Sequence, residues 1–382
     1  MHFNKIVGHS STKKHLLTSA ANKRIPHAQL FVGEEGSGIL LTAIAYAQYV
    51  LCSNTGDENT GGNESCNLKF ENFAHPDLHF VYPTVVTEDV KSKPKSLDFL
   101  PQWREFLTEK PYGSLFDWYN HIGVDNKQGI IRVEDASEII HSLSLKSYEG
   151  GFKFMIVWMA DKMNVEASNK LLKLLEEPTD KTVFILITEN EEDLLQTIRS
   201  RCQVIRFNKL TDAEIAQHLI DFELIEPKKA NQVAQRCQGN YNRALQLCNN
   251  VNEDAPFEQW FVTWVRAAFR AKGNASAIHD LINWSEEIAK LGRETQKKFL
   301  HFCIDLFRQA LLTNYQASTL VYYESGIEGF DLQKFAPFIT GNNINDIYKE
   351  LNDAIYHIER NGNAKIILTD LSIKLTRLLH KH

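Results

Sequence analysis

The sequence has no apolar run of the ~18–20 residues that a membrane-spanning helix needs. Its start, Met1-His2-Phe3-Asn4-Lys5, lacks the hydrophobic stretch of a secretory signal, so a cytoplasmic location and no membrane partner are expected. Cysteine is sparse. Cys52, Cys66, Cys202, Cys237, Cys248 and Cys303 are scattered, a distribution that argues against a disulfide framework. Positive charge is not in excess either. With a net charge of −6, any contact with nucleic acid has to come from a local patch rather than from the whole surface.

What is present is the composition of a globular protein, 43% hydrophobic and 24% charged, on a chain of 382 residues that is too long for one ordinary domain. Strand-like and helix-like segments alternate over residues 1–207. Gln29-Leu30-Phe31-Val32 is a short apolar strand that ends in a glycine-rich turn, and residues 39–51 then read as an Ala- and Leu-rich helix. Residues 80–82 give a second strand. Residues 154–159 and 183–187 are continuous apolar runs of strand length, the pattern of strands buried on both faces of a parallel sheet. Between them, residues 164–177 form a helix with Leu171, Leu172, Leu174 and Leu175 along it, and Pro178 stops it. This order predicts an α/β parallel sheet flanked by helices.

Two stretches interrupt the alternation. Residues 53–65 are polar and rich in Gly and Asn, an exposed loop. Residues 84–129 are a longer insertion with Trp103, Tyr112 and Trp118 and a basic run, Lys91-Ser92-Lys93-Pro94-Lys95, either a phosphate-backbone contact or a solvated loop. Beyond residue 207 the pattern is helical. Thr211 and Glu214 make a capping box. A small lid over 208–250 and an all-helical collar over 251–382 are expected. In the latter, Phe257, Trp260, Phe261, Trp264, Val265 and Ala268 keep helical spacing. Ile347, Leu351, Ala354, Ile355 and Ile358 do the same, as do Leu368, Leu371, Leu375, Leu378 and Leu379. Such stripes serve either a core or a subunit interface.

The turn after the first strand carries the chemistry, or its remains. Gly33, Gly36 and Gly38 sit in Gly33-Glu34-Glu35-Gly36-Ser37-Gly38-Ile39-Leu40, which matches the first part of a phosphate-binding loop. A working loop continues with Lys, which reaches the β- and γ-phosphates, and Ser/Thr, which holds Mg²⁺. Those positions are Ile39 and Leu40. Two carboxylates, Glu34 and Glu35, stand beside the expected phosphates. An active site would also place an Asp-Glu pair at the end of the strand at 154–158, for the metal and the attacking water. The matching residues are Met159 and Ala160, and Asp161 is two positions late. With the lysine, metal ligand and base all gone, the electrostatic stabilisation of phosphoryl transfer goes too.

Several segments converge on one family. Asn169-Lys170-Leu171-Leu172-Lys173-Leu174-Leu175-Glu176-Glu177-Pro178, the strand at 183–187, and Thr197-Ile198-Arg199-Ser200-Arg201-Cys202 together resemble the clamp-loader branch of the AAA+ family of bacterial DNA polymerase III. Residues 3–8, His27-Ala28-Gln29-Leu30-Phe31 and His75-Pro76-Asp77 extend the resemblance, which covers about residues 3–250. It implies an AAA+ α/β domain and a stator within a ring of five subunits, which load the sliding clamp on primed DNA. The implied partners are gamma/tau-type motor subunits and a delta-type subunit, with the clamp met indirectly and primer-template DNA in the assembled complex. Arg201 would project into the ATP site of the adjacent motor, with Ser200 as a cap and Cys202 as a small buried side chain. An arginine supplied in trans is worth ~10³–10⁵ in rate.

The sequence also departs from the family. The lid pattern Gly-Ser-x-Arg-x-Ala-Leu reads Gly239-Asn240-Tyr241-Asn242-Arg243-Ala244-Leu245, so the nucleotide-sensing position is Asn242 and Arg243 is one residue off. Many relatives carry four zinc-binding cysteines. Here Cys52 and Cys66 occupy the outer positions, while Thr60 and Asn63 fill the inner ones, too few thiolates for a closed tetrahedral site. No ATP, zinc or other cofactor is expected. The competing readings are an ATP-hydrolysing motor subunit of the same machine and an AAA+ adaptor outside replication.

Overall fold

Uninterrupted apolar segments cannot face water on either side, and the chain stacks them into one sheet. A computed structural model describes residues 2–52, 64–124, 127–144, 146–148, 151–249, 255–317, 320–323, 327 and 329–381. The strands are β1 (Ala28–Val32), β2 (Leu78–Val81), β3 (Lys153–Val157), β4 (Thr182–Thr188) and β5 (Gln203–Arg206). Their order is β2-β3-β4-β1-β5 and every neighbouring pair is parallel. β3 and β4 are buried along their whole length, as their sequences require. The parallel α/β class flanked by helices, followed by a helical region, is therefore the observed one. The run at 154–159 stops being strand at Val157, because Met159 turns into the left-handed region (φ 53°). β5 is an edge strand with Gln203 and Arg206 exposed, and its sequence carries no apolar run.

The chain divides into two compact units, residues 1–124 with 129–249 and residues 125–128 with 250–382. In the first, the helix Ile39–Cys52 is buried over most of its length against the sheet. The leucine helix Val165–Glu176 is capped by Asn164, whose side chain accepts the N–H of Ala167 at 2.8 Å. Thr211 and Glu214 form the expected capping box on the helix Asp212–Phe222.

The basic run, residues 91–95, lies in a loop, but the rest of the insertion is largely helical. It forms a 3-10 turn (Ser96–Phe99) and the helices Leu100–Glu109 and Leu115–His121. Trp103 stacks on Tyr82 with centroids 4.0 Å apart and meets Trp118 and Trp158 at 5.2 Å each. Trp118 donates its indole N–H to the Pro83 carbonyl at 2.9 Å. Packing of these rings against the sheet is what folds the segment. Lys93 and Lys95 are drawn to Glu134 (3.0 Å) and Glu138 (3.6 Å), so their charge is partly matched within the chain.

The scattered cysteines are not all unpaired. Cys52, at the end of the helix Ile39–Cys52, is joined by a disulfide to Cys66 in the helix Glu64–Glu71. Both sulfurs are fully buried, and scattered spacing gave no hint of the pairing. Ser65 belongs to that helix rather than to a loop, and residues 53–63, with Thr60 and Asn63, lie outside the described residues.

In the second unit, the helices Ala255–Arg270, Ala275–Ala289, Arg293–Asn314, Ile344–Glu359 and Ala364–Leu378 turn their stripes inward. Trp264 lies flat on Trp284 (4.9 Å, 3°) and donates its N–H to Ser372 Oγ at 2.8 Å. Phe261, Leu351, Ile358, Leu368 and Leu375 are buried in the same core, so these stripes serve the unit's own packing.

Because Trp103 is fully buried amid rings, Trp103→Ala is expected to cost about 3–5 kcal/mol of stability, read as a lowered urea midpoint in equilibrium unfolding. An exposed insertion would show a loss under 0.5 kcal/mol.

Candidate functional site

In a parallel sheet every strand delivers its chain to the same edge, and ligands of such folds bind there, beyond the carboxyl ends of the strands. Val32 of β1 lies opposite Thr188 of β4, and Val157 of β3 opposite Leu186. Gly33, Met159 and Thr188 thus arrive together. With residues 34–40 and 111–114 they line a cavity of about 40 Å³. That is room for a few waters, against the ~300–1,000 Å³ of small-molecule sites.

The chain's own side chains take up the rest. Ile39, in the place of the phosphate-binding lysine, folds back so that a Cβ added at Gly33 would lie 2.6 Å from its Cδ1. Ile39 and Leu40 are buried. Gly36 (φ +71°) and Gly38 (φ +79°) hold left-handed conformations, and both are closely approached. At Gly36 a Cβ would fall 1.9 Å from Asn240 Oδ1, and at Gly38 it would fall 2.9 Å from the ring of Tyr112. The glycines expected to cradle a phosphate instead make room for Asn240 and Tyr112.

Both intruders are fixed. Asn240 caps the helix Tyr241–Cys248 by accepting the Arg243 N–H at 3.0 Å, and its amide reaches Glu35 Oε1 at 3.4 Å. The next residue, Tyr241, donates its backbone N–H to the Gly36 carbonyl at 3.0 Å. The Tyr112 hydroxyl accepts the Val7 N–H at 3.1 Å, its ring packs on Tyr241 at 4.6 Å, and burial pushes its ionisation well up. His9 reaches the Ser37 carbonyl at 2.8 Å, and burial holds it below the ordinary histidine value, as the neutral form. Asn242, at the sensing position, is buried and donates to Asp117 Oδ2 at 2.8 Å.

The charges present are of the wrong sign for phosphate. Glu34, Glu35 and Glu189 line the cavity and, among the described residues, no Lys or Arg does. Lys209 pairs with Glu34 at 2.8 Å on the outside. Met159 faces the cavity and Ala160 is fully buried. Asp161 does not point away from the region altogether: it accepts from Thr188 Oγ1 at 3.0 Å and pairs with Lys162 at 2.8 Å. The residues present do not fit a Mg²⁺-nucleotide. Nor do Cys52 and Cys66 fit zinc, since each sulfur is bonded to the other. Among the described residues, no three His, Cys, Asp or Glu side chains gather as a metal group would.

Arg201 lies at the other edge of the sheet. It precedes Gln203, which opens β5 level with Gln29, whereas Gly33 follows the last residue of β1. From the level of Gln29 to Gly33 is roughly 13 Å of strand at ~3.3 Å per residue, and Arg201 lies two residues before β5 opens. Arg201 is about one-third exposed and its guanidinium donates to the Thr197 carbonyl at 2.9 Å and pairs with Glu176. Ser200 ends the helix Gln196–Arg199 and donates its hydroxyl to the Thr197 carbonyl at 3.1 Å. Cys202 is only partly buried by residue, yet burial pushes its thiol up to about 12, so it is inert near neutrality. Sequence reasoning missed Glu176, Thr188 and Asn240 as site residues and saw Tyr112 only as an aromatic. The one available signal was Asn240 between a glycine and a helix, a cap that also reaches across.

The profile of the family described as DNA polymerase III, delta subunit, matches residues 8–211. The chain belongs to that family. It is 30% identical over 237 residues to DNA polymerase III subunit delta' of Bacillus subtilis (strain 168), which covers 62% of this chain and 58% of the relative. It is 29% identical over 204 residues to subunit delta' of Haemophilus influenzae, covering 53% and 47%. The chain thus spans about half the length of the curated relatives it matches. Among solved structures, a DNA polymerase III gamma subunit-related protein from Thermotoga maritima aligns over 96% of this chain and 99% of its own, at 14% identity and a TM-score of 0.40. The family resemblance read from the leucine helix and the Ser-Arg-Cys triplet is borne out by the profile match.

The seat of Asn240 on Gly36 can be tested by a double substitution. Gly36→Ala is expected to cost more than about 2 kcal/mol, since it adds the side-chain clash to the ~1–2 kcal/mol of a left-handed alanine. Gly123→Ala, with φ +70° and nothing within 4 Å, carries the backbone cost alone. Adding Asn240→Gly to Gly36→Ala should recover the excess in a denaturant titration. Strict additivity of the two changes would mean that the side chains do not meet there.

Proposed function

We propose that this chain is a non-hydrolysing subunit of a DNA polymerase III clamp loader. It acts as a stator and gives Arg201 to the ATP site of an adjacent gamma/tau-type motor subunit during loading of the sliding clamp on primed DNA. One observation carries the reading: Arg201 is exposed at the sheet edge opposite its own phosphate loop. It is too far away to serve that loop and sits where a neighbour can meet it. The crevice, for its part, is lined by Ile39, Tyr112 and three carboxylates, with Asn240 packed on Gly36, which supports a subunit that holds no nucleotide.

The chemistry follows from charge. As a γ-phosphoryl group transfers, negative charge spreads over its equatorial oxygens, and a planar guanidinium offers two parallel N–H donors to it. A motor subunit supplies the lysine, the metal and the water-positioning carboxylate. Arg201 adds the remaining positive charge from outside, so hydrolysis proceeds only where the two subunits meet. Lysine in its place would bring a point charge without the fork. Ser200 and Cys202 hold the turn that presents Arg201 and take no part in the reaction.

Titration of the purified chain with ATP and Mg²⁺ in a calorimeter should give no binding heat. A Kd in the micromolar range would contradict a closed pocket. In a loader reconstituted from its purified subunits, Arg201→Ala is expected to leave assembly intact by size-exclusion chromatography. It should lower DNA-stimulated ATP turnover by at least 10-fold, within the ~10³–10⁵ that a single finger supplies. Arg201→Lys is expected to recover little. Unchanged turnover in Arg201→Ala would sink the finger role.

A further inference from the structure

Glu176 breaks a local rule. It is the last residue of the leucine helix Val165–Glu176, where the helix dipole is negative and a carboxylate is disfavoured. Lysine or arginine is the residue type that suits this position. A violation of this kind calls for compensation nearby. It is found in Arg201, whose Nη2 pairs with Glu176 Oε1. The two positions are 25 residues apart in sequence, on separate helix–turn elements, and both lie at the N-terminal edge of the sheet. His27, just before β1, reaches the Leu175 carbonyl at 3.0 Å, which pins the end of the leucine helix to that edge.

The second tether on Arg201 is the Thr197 carbonyl, one of the acceptors that the short helix Gln196–Arg199 leaves open. One N–H donor, on Nη1, is therefore held by a hydrogen bond, and Nη2 is held against Glu176 by charge. The other donors have no acceptor among the described residues. An ion pair as exposed as this one, with Glu176 about half exposed, contributes little to stability. What it does supply is position: an otherwise freely rotating arginine is tethered at both terminal nitrogens while about a third of the side chain stays exposed.

We infer that Glu176 is a positioning residue for Arg201, holding the guanidinium in the orientation in which it meets the phosphates of a nucleotide bound by the neighbouring subunit. This inference rests on the finger role proposed above. Without the carboxylate the arginine keeps its charge and loses its orientation, and misplacement of a catalytic group by about 1 Å is enough to cost orders of magnitude in rate. A positioning role therefore predicts a fall in kcat with KM for ATP unchanged, because nucleotide binding belongs to the motor subunit.

The test uses the reconstituted loader with saturating primed DNA. Glu176→Ala is expected to lower the kcat of ATP hydrolysis roughly 10-fold, with KM and the thermal midpoint of the subunit unchanged. Glu176→Asp should restore part of the loss. In an Arg201→Ala background, Glu176→Ala should add nothing, since there is no side chain left to orient. Wild-type or faster turnover in Glu176→Ala, while Arg201→Ala is impaired, overturns the positioning role and leaves the finger standing. A full 10-fold effect of Glu176→Ala in the Arg201→Ala background also overturns it, because Glu176 would then act by another route. Full turnover in Arg201→Ala alone removes the finger reading itself.

Discussion

The parallel pairing of β1 with β4, Val32 opposite Thr188, is the constraint on which the site depends. It forces the chain to leave β1, β3 and β4 at one edge, so Gly33, Met159 and Thr188 have to share a crevice whatever their side chains are. The parallel pairing of β1 with β5, Gln29 opposite Gln203, puts the turn before β5, with Arg201, at the opposite edge. The two registers on β1 therefore separate the pocket from the arginine. No loop adjustment could bring them together, because the sheet between them is buried and rigid along β3 and β4.

Within the crevice the substitutions are physically coupled. A lysine at residue 39 without a phosphate would be an unpaired charge in a closed space, and an Asp at residue 159 without Mg²⁺ would be another; each costs several kcal/mol to bury. Ile39 and Met159 remove both charges. The space a ligand would have held then needs filling, since voids forfeit packing contacts. Tyr112 lines the crevice and Asn240 packs against Gly36, and they satisfy their polar atoms on Val7, Arg243 and Glu35. Tyr241 adds a backbone hydrogen bond to Gly36. The helices of residues 212–248 are thus joined to the phosphate loop by the chain itself, where nucleotide would otherwise bridge them.

β1, β3 and β4 were legible because strands buried on both faces have to be apolar, and the leucine helix because its stripe and Pro178 mark it. β5 was not, since an edge strand exposes Gln203 and Arg206 and leaves no pattern. The helices of the insertion were hidden by Lys91, Lys93 and Lys95, whose charges drew attention from Trp103 and Trp118. The Cys52–Cys66 bond joins residues that neither spacing nor count could pair. In the crevice, the losses at Ile39, Met159 and Ala160 could be read directly, because each is a missing residue type at a known offset. The filling could not. Tyr112 and Asn240 come from segments more than 70 and 200 positions from Gly36, and only the fold brings them to it.

The same residues explain why a closed pocket and an exposed arginine belong together. In the function proposed above, the chain gives charge to a neighbour and has to present it in one place throughout the neighbour's cycle. Nucleotide binding and release in its own crevice would move the helices of 212–248 against the sheet, and with them any surface they carry. In this chain that movement is opposed by the Tyr241–Gly36 hydrogen bond, the Tyr112–Tyr241 contact and the buried Asn242–Asp117 bond, none of which depends on a ligand. Arg201 itself is held by Thr197 and Glu176, on elements fixed to the sheet rather than to the mobile side of an ATP site. Under the function proposed above, a crevice without cis chemistry and an arginine given in trans answer one requirement: a fixed charge at an edge that the pocket cannot disturb.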